Sequence, residues 1–148
     1  MSKTFFSETE QQDIIDAIKQ AELNTSGEIR VHIEPTCEND AYDRAKTVFE
    51  SLGMHATERK NAVLFYVAYN SKKFAIIGDS GIHEKVTQSF WDEEKEILLK
   101  HFKEDKYAIG LSNAIQDAGA KLKQYFPYAS NDTNELSNDI SFGGGEHE

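Results

Sequence analysis

The apolar run Ala62 to Ala68 (AVLFYVA) constrains this chain more than any other stretch. A short run without a polar residue, rich in β-branched and aromatic side chains, reads as a strand buried on both faces. Phe74 to Ile77 (FAII) is its shorter partner, and Tyr69-Asn70-Ser71-Lys72 supplies the turn between them. A hairpin brings its two ends together. Asn61, just before the first strand, and Asp79, just after the second, therefore become neighbours at one rim of a sheet. That rim is the candidate site.

The flanking segments supply the layers that such a strand needs. Ser7-Glu8-Thr9-Glu10 fits a capping box, and Ile14, Ile18 and Ala21 follow at helical spacing, which predicts a helix from about Ser7 to Leu23. Glu28 to Glu34 (EIRVHIE) alternates, with Ile29, Val31 and Ile33 facing one way and Arg30 and His32 the other, as in a half-buried strand closed by Pro35. A second helix starts near Asn39 or Asp40, buries Ala45, Val48 and Phe49, and ends at Gly53. Helical patterns follow after Ser80-Gly81, with a break around Thr87 to Ser89, and again from Tyr107 to Tyr125 before Pro127.

The expected fold class is α/β, a small mixed β-sheet sandwiched by helices in the order α-β-α-β-β-α-α. The helical crossover between the first two strands makes them parallel and the connection right-handed. This polarity collects Ser26 and Glu28 at the start of the first strand, Arg59 and Asn61 at the start of the second, and Asp79 at the end of the third. Glu22 and His55 could also approach. Residues 1–127 form one domain, and 128–148, rich in Asn, Asp, Ser and Gly, read as a flexible tail in which Leu136, Ile140 and Phe142 offer docking points.

Charge narrows the function. Asp and Glu outnumber Lys and Arg 26 to 16, for a net charge of −10, which argues against nucleic acid as a partner. No apolar run is long enough for a membrane span, the first residues lack a signal-peptide core, and a single cysteine excludes an internal disulfide. These features predict a cytoplasmic monomer without direct membrane insertion.

The strings TSGEIRVHIE, VFESLGMHATERKNAVLFYVAYNSKKFAIIGDSGI, SFW and YAIGLSNAI, in that order, resemble the TPM domain. The likeness runs from about Phe6 to Phe126 and is closest to the short bacterial form without a transmembrane segment. It implies an α/β sandwich, binding of calcium or another divalent cation in some members, acid phosphatase activity in one plant member, and membrane-protein neighbours. Carried over by matching positions, Glu28, Asn61 and Asp79 are the acidic and polar rim that would hold the cation, calcium first and magnesium second.

Each candidate also has a plainer reading. Asp79 either ligates a hard cation or caps the helix that follows. Arg59 either holds a phosphate or neutralises Glu28 or Asp79. Ser26, Glu22 and His55 are further candidates for the same rim. No stretch matches an EF-hand, and Asn131 to Glu135 is only a superficial likeness. Cys37 and Arg44 are separated by ENDAYD, one residue more than a thiolate phosphatase loop uses, and the glycines such a loop needs are missing. Any hydrolysis would therefore run through metal-activated water at the rim. The expected function is cation binding in a binding or regulatory role beside a membrane-protein partner, with a metal-dependent phosphatase as the alternative.

Overall fold

A computed structural model describes residues 5–127 and 136–143. The first helix, α1 (Glu8–Asn24), begins where the capping box predicts. Glu10 N–H donates to Ser7 Oγ at 3.1 Å, and Ser7 N–H donates to Glu10 Oε1 at 2.9 Å. Such a cap stabilises a helix start by about 1 kcal/mol. The chain then runs through β1 (Glu28–Glu34), α2 (Ala41–Ser51) and a 3-10 turn at Met54–Ala56 to the hairpin of β2 (Ala62–Ala68) and β3 (Lys73–Gly78). Three helices follow, α3 (Ser80–His83), α4 (Gln88–Phe102) and α5 (Tyr107–Leu122), and a short strand, β4 (Ser141–Phe142), closes the described chain.

The sheet order is β3-β2-β1-β4. β1 and β2 are parallel from Glu28↔Ala62 to Glu34↔Ala68, and β2 and β3 are antiparallel from Val63↔Gly78 to Ala68↔Lys73. All residues of β2 are buried. Val63, Phe65 and Val67 meet α1, α4 and α5 on one face, while Leu64 and Tyr66 meet Val48 and Phe49 of α2 on the other. Close packing of α1 on α5 rests on small residues, since a Cβ on Gly119 would lie 2.6 Å from that of Ala21.

The mixed sheet between helical layers matches the expected fold class, with two elements added to the expected order. The helical region after Asp79 divides into α3 and α4, and Thr87 is the N-cap of α4. The second addition is β4, which pairs parallel with β1 through His32↔Ser141 and Ile33↔Phe142. Phe142 packs on the helical face of the sheet and Leu136 on the α2 face. The rest of the expected tail, 128–135 and 144–148, lies outside the described residues.

One expectation is overturned. β1 is not half-buried, because only Arg30 among its residues retains partial exposure. Its polar face is covered by residues 136–143, which approach from far along the chain.

Candidate functional site

Sheet polarity assembles the predicted rim. Glu28 N–H donates to Asn61 O at 3.1 Å, and Asp79 N–H donates to Ala62 O at 2.9 Å. Both bonds extend the ladders of the sheet past the ends of β2, so Glu28, Asn61 and Asp79 stand on three adjacent strands. Ser26 joins them twice: its carbonyl accepts from Asn61 Nδ2 at 3.2 Å, and its hydroxyl accepts from an Arg59 guanidinium N–H at 3.0 Å. Arg59 is thus anchored to Ser26 with its side chain at the surface.

Within this rim the donors divide. Asn61 and Asp79 each keep one side-chain oxygen without a protein donor among the described residues. Asn61 is buried, yet its Oδ1 has no hydrogen-bond partner among the described residues. Asp79 caps α3, with Oδ1 accepting from Ser80 N–H at 2.7 Å, while its Oδ2 is buried without a partner among the described residues. Two carbonyls border the same turn. A Cβ on Gly81 would lie 2.4 Å from Lys60 O and 2.5 Å from Arg59 O, so only glycine lets α3 sit this close. Lys60 itself adopts a left-handed conformation at φ 53°.

Glu28 and Glu22 are turned towards the outer edge of β1. Glu28 Oε1 accepts from Leu136 N–H at 3.1 Å. Glu22 Oε2 accepts from Ile29 N–H at 3.0 Å and so covers an edge amide of the sheet. Burial pushes the Glu22 carboxyl up to about 8, with Glu28 adding to the rise and the Ile29 bond opposing it. His55 contributes its carbonyl, which accepts from Lys60 Nζ at 2.6 Å, and its side chain is exposed.

This inventory bears on which ion could sit here. Among the described residues, no three His, Cys, Asp or Glu side chains converge as a metal centre. The available donors are the Asp79 carboxylate, the Asn61 amide oxygen and main-chain carbonyls, an oxygen-only set suited to a hard cation that completes its shell with water. Imidazole and thiolate chemistry has no footing at this rim. Two buried acceptors without partners fit a cation better than they fit a finished hydrogen-bond network.

The opposite end of β1 holds a cluster that the sequence reading missed. Glu34 is 1% exposed. Arg44 grips it with Nε on Oε2 and a terminal nitrogen on Oε1, both at 2.9 Å. His32 Nε2 lies 3.1 Å from Oε1, and the Tyr66 hydroxyl donates to Oε2. Burial alone would raise the Glu34 carboxyl, but the bonds from Arg44, His32 and Tyr66 hold it down at about 2. Burial and this carboxylate push the Tyr66 phenol well above its usual range. The available signal was the string of Arg30, His32 and Glu34 on one strand face, which reads as solvated until the segment covering it is known.

Fold and rim together define a small α/β domain with oxygen-rich ends of adjacent strands gathered at one edge. The TPM domain profile matches residues 2–121, and the chain belongs to that family. The BA42 protein of the psychrophilic bacterium Bizionia argentinensis is 45% identical, with a TM-score of 0.91 over 97% of this chain and 99% of that one. The N-terminal domain of cg2496 protein from Corynebacterium glutamicum is 12% identical, with a TM-score of 0.65 over 97% of this chain and 84% of that one, a likeness of fold alone. Among curated proteins no sequence matches. No helix of the described residues is long and apolar enough to cross a membrane.

Proposed function

We propose that this TPM domain binds a divalent cation, calcium before magnesium, through Asp79 and Asn61. The observation that carries this reading is that Asn61 Oδ1 and Asp79 Oδ2, on neighbouring strand ends, are buried without a partner among the described residues. A hard cation would supply both with what no protein donor does. Glu28 adds negative potential one strand away, and Arg59, held by Ser26, limits the net charge. With so few carboxylates the affinity belongs in the weak class, with Kd on the order of 10⁻⁴–10⁻³ M. A binding or regulatory role, beside a membrane-protein partner as the family likeness implies, goes with such a site.

Asp79→Asn separates cation binding from capping, because asparagine caps a helix about as well as aspartate. Calorimetric titration of the metal-stripped protein should show calcium affinity falling at least about tenfold in this variant, with unfolding midpoint unchanged. Equal affinity in variant and wild type would remove Asp79 from the site.

Hydrolysis of phosphate esters at the same rim is the second reading, and the exposed Arg59 guanidinium beside Ser26 is the feature that favours it. A bound cation would supply charge to activate water; Arg59 would orient the phosphate. Cys37 is buried with its thiol donating to Asn39 O at 3.2 Å, which keeps it from acting as nucleophile. Turnover should then vanish with chelator and with Arg59→Ala, and be indifferent to Cys37→Ser. Turnover surviving Arg59→Ala would count against this reading.

A further inference from the structure

The polar face of β1 meets α2 at its Glu34 end, through Arg44. Its lid is the segment 136–143, laid along it residue by residue. Leu136 N–H donates to Glu28 Oε1, and Asp139 lies within electrostatic reach of Arg30. Ser141 Oγ is 2.8 Å from His32 Nδ1. Gly143 N–H donates to Ile33 O at 3.0 Å. Between these polar contacts Ile140 and Phe142 turn towards the helical core.

We propose that this edge of β1 is a groove for an extended acidic peptide of another protein, held closed in cis by residues 136–143. Three observations point this way. First, the strand pairing is short: only His32 and Ile33 of the strand pair with β4, whereas β2 pairs with β1 along its whole length. Such short edge strands open at low cost compared with the core. Second, the groove is built to read sequence in the manner of strand addition, with main-chain bonds giving affinity and alternate side chains giving choice. Third, Arg30 Nε is buried without a partner among the described residues, so the cis segment leaves this guanidinium incompletely used.

The cis segment also specifies the chemistry of its replacement. A carboxylate meets Arg30 and a small hydroxyl meets His32, with apolar residues between them. Glycine fits the last position best, because a Cβ on Gly143 would crowd two atoms of the His32 ring at 3.0 Å. The peptide runs parallel to β1, as β4 does. This groove needs no cation.

The test uses the full chain and a fluorescently labelled peptide, LSNDISFG, read by anisotropy. In the wild type the tethered segment competes at high effective concentration. Gly143→Val in the protein should loosen that segment and tighten peptide binding at least about tenfold. A peptide carrying lysine in place of its aspartate should lose binding to both proteins. No uptake by either protein, or uptake blind to the aspartate, overturns the proposal. Hydrogen exchange on the unmodified protein gives a check that needs no variant. The Gly143 amide should exchange by local opening, far faster than the amides of β2. Exchange of Gly143 only through global unfolding would overturn the proposal. So would a concentration-dependent dimer with crossed segments and no peptide uptake, since the groove would then serve a second copy of this chain.

Discussion

The two ends of β1 place buried polar groups in similar surroundings and treat them in opposite ways. At the Glu34 end, one carboxylate receives bonds from Arg44, His32 and Tyr66. At the Glu28 end, Asn61 Oδ1 and Asp79 Oδ2 receive none from the described residues. A satisfied buried network fixes structure, whereas buried acceptors left open have room for a water or an ion. The contrast is informative because both ends belong to one strand pair and one register.

The sharpest way to break that comparison is to damage the satisfied end. Arg44→Ala leaves Glu34 buried without its main charge partner and should cost about 3 kcal/mol of stability in urea unfolding, given that removal of one member of a buried pair typically costs 3–5 kcal/mol. Calcium binding should be untouched once allowance is made for the unfolded fraction. A loss below about 0.5 kcal/mol, the range of an ordinary surface change, would show that the cluster is not structural.

Acid provides the second probe. Arg44, His32 and Tyr66 hold the Glu34 carboxyl down at about 2, against an ordinary 4.5. Its contribution is fully present above 4.5 and is lost as pH falls towards 2. Unfolding midpoints measured between pH 5 and 2 should therefore drop steeply in the wild type and less in Glu34→Gln. Glu94, on the α4–α5 contact, works in the other direction. Burial and Asp117 raise it to about 9, against the pull of Lys121, so its stabilising protonated form is lost as pH climbs from 4.5 through 9. Glu94→Gln should gain stability relative to wild type over that alkaline range, and parallel pH curves would contradict the assignment.

The smallest expected effect lies at the open end. Asn61→Asp adds a charge beside the Ser26 carbonyl, which now accepts from Asn61 Nδ2. Without metal the variant should lose about 1–3 kcal/mol through the broken bond. Calcium should restore much of that loss, making its thermal midpoint more calcium-dependent than that of the wild type. A variant equally stable with and without calcium would remove Asn61 from the site.

How far the fold could be read from the sequence follows the range of the interactions. The AVLFYVA run marks the central strand because burial on both faces leaves no polar residue in it. The capping box marks the start of α1 because its contacts are local. Helical crossover then fixes strand polarity, and with it the meeting of Ser26, Glu28, Asn61 and Asp79. The fate of Arg30, His32 and Glu34 was not legible, since their cover is a two-residue strand with no periodic signature of its own. Nor was the division of the rim. Glu28 and Asp79 both looked like ligands, and only the contact from Leu136 to Glu28 shows that one of them is turned to the edge.

An amide NMR titration of the metal-stripped protein with calcium tests the central claim most directly. The account predicts shifts at Arg59 to Asn61 and Asp79 to Ile82 that saturate at millimolar ion, with His32, Glu34 and Arg44 unmoved. Shifts centred on the Glu34 end, or none at millimolar calcium, would contradict it.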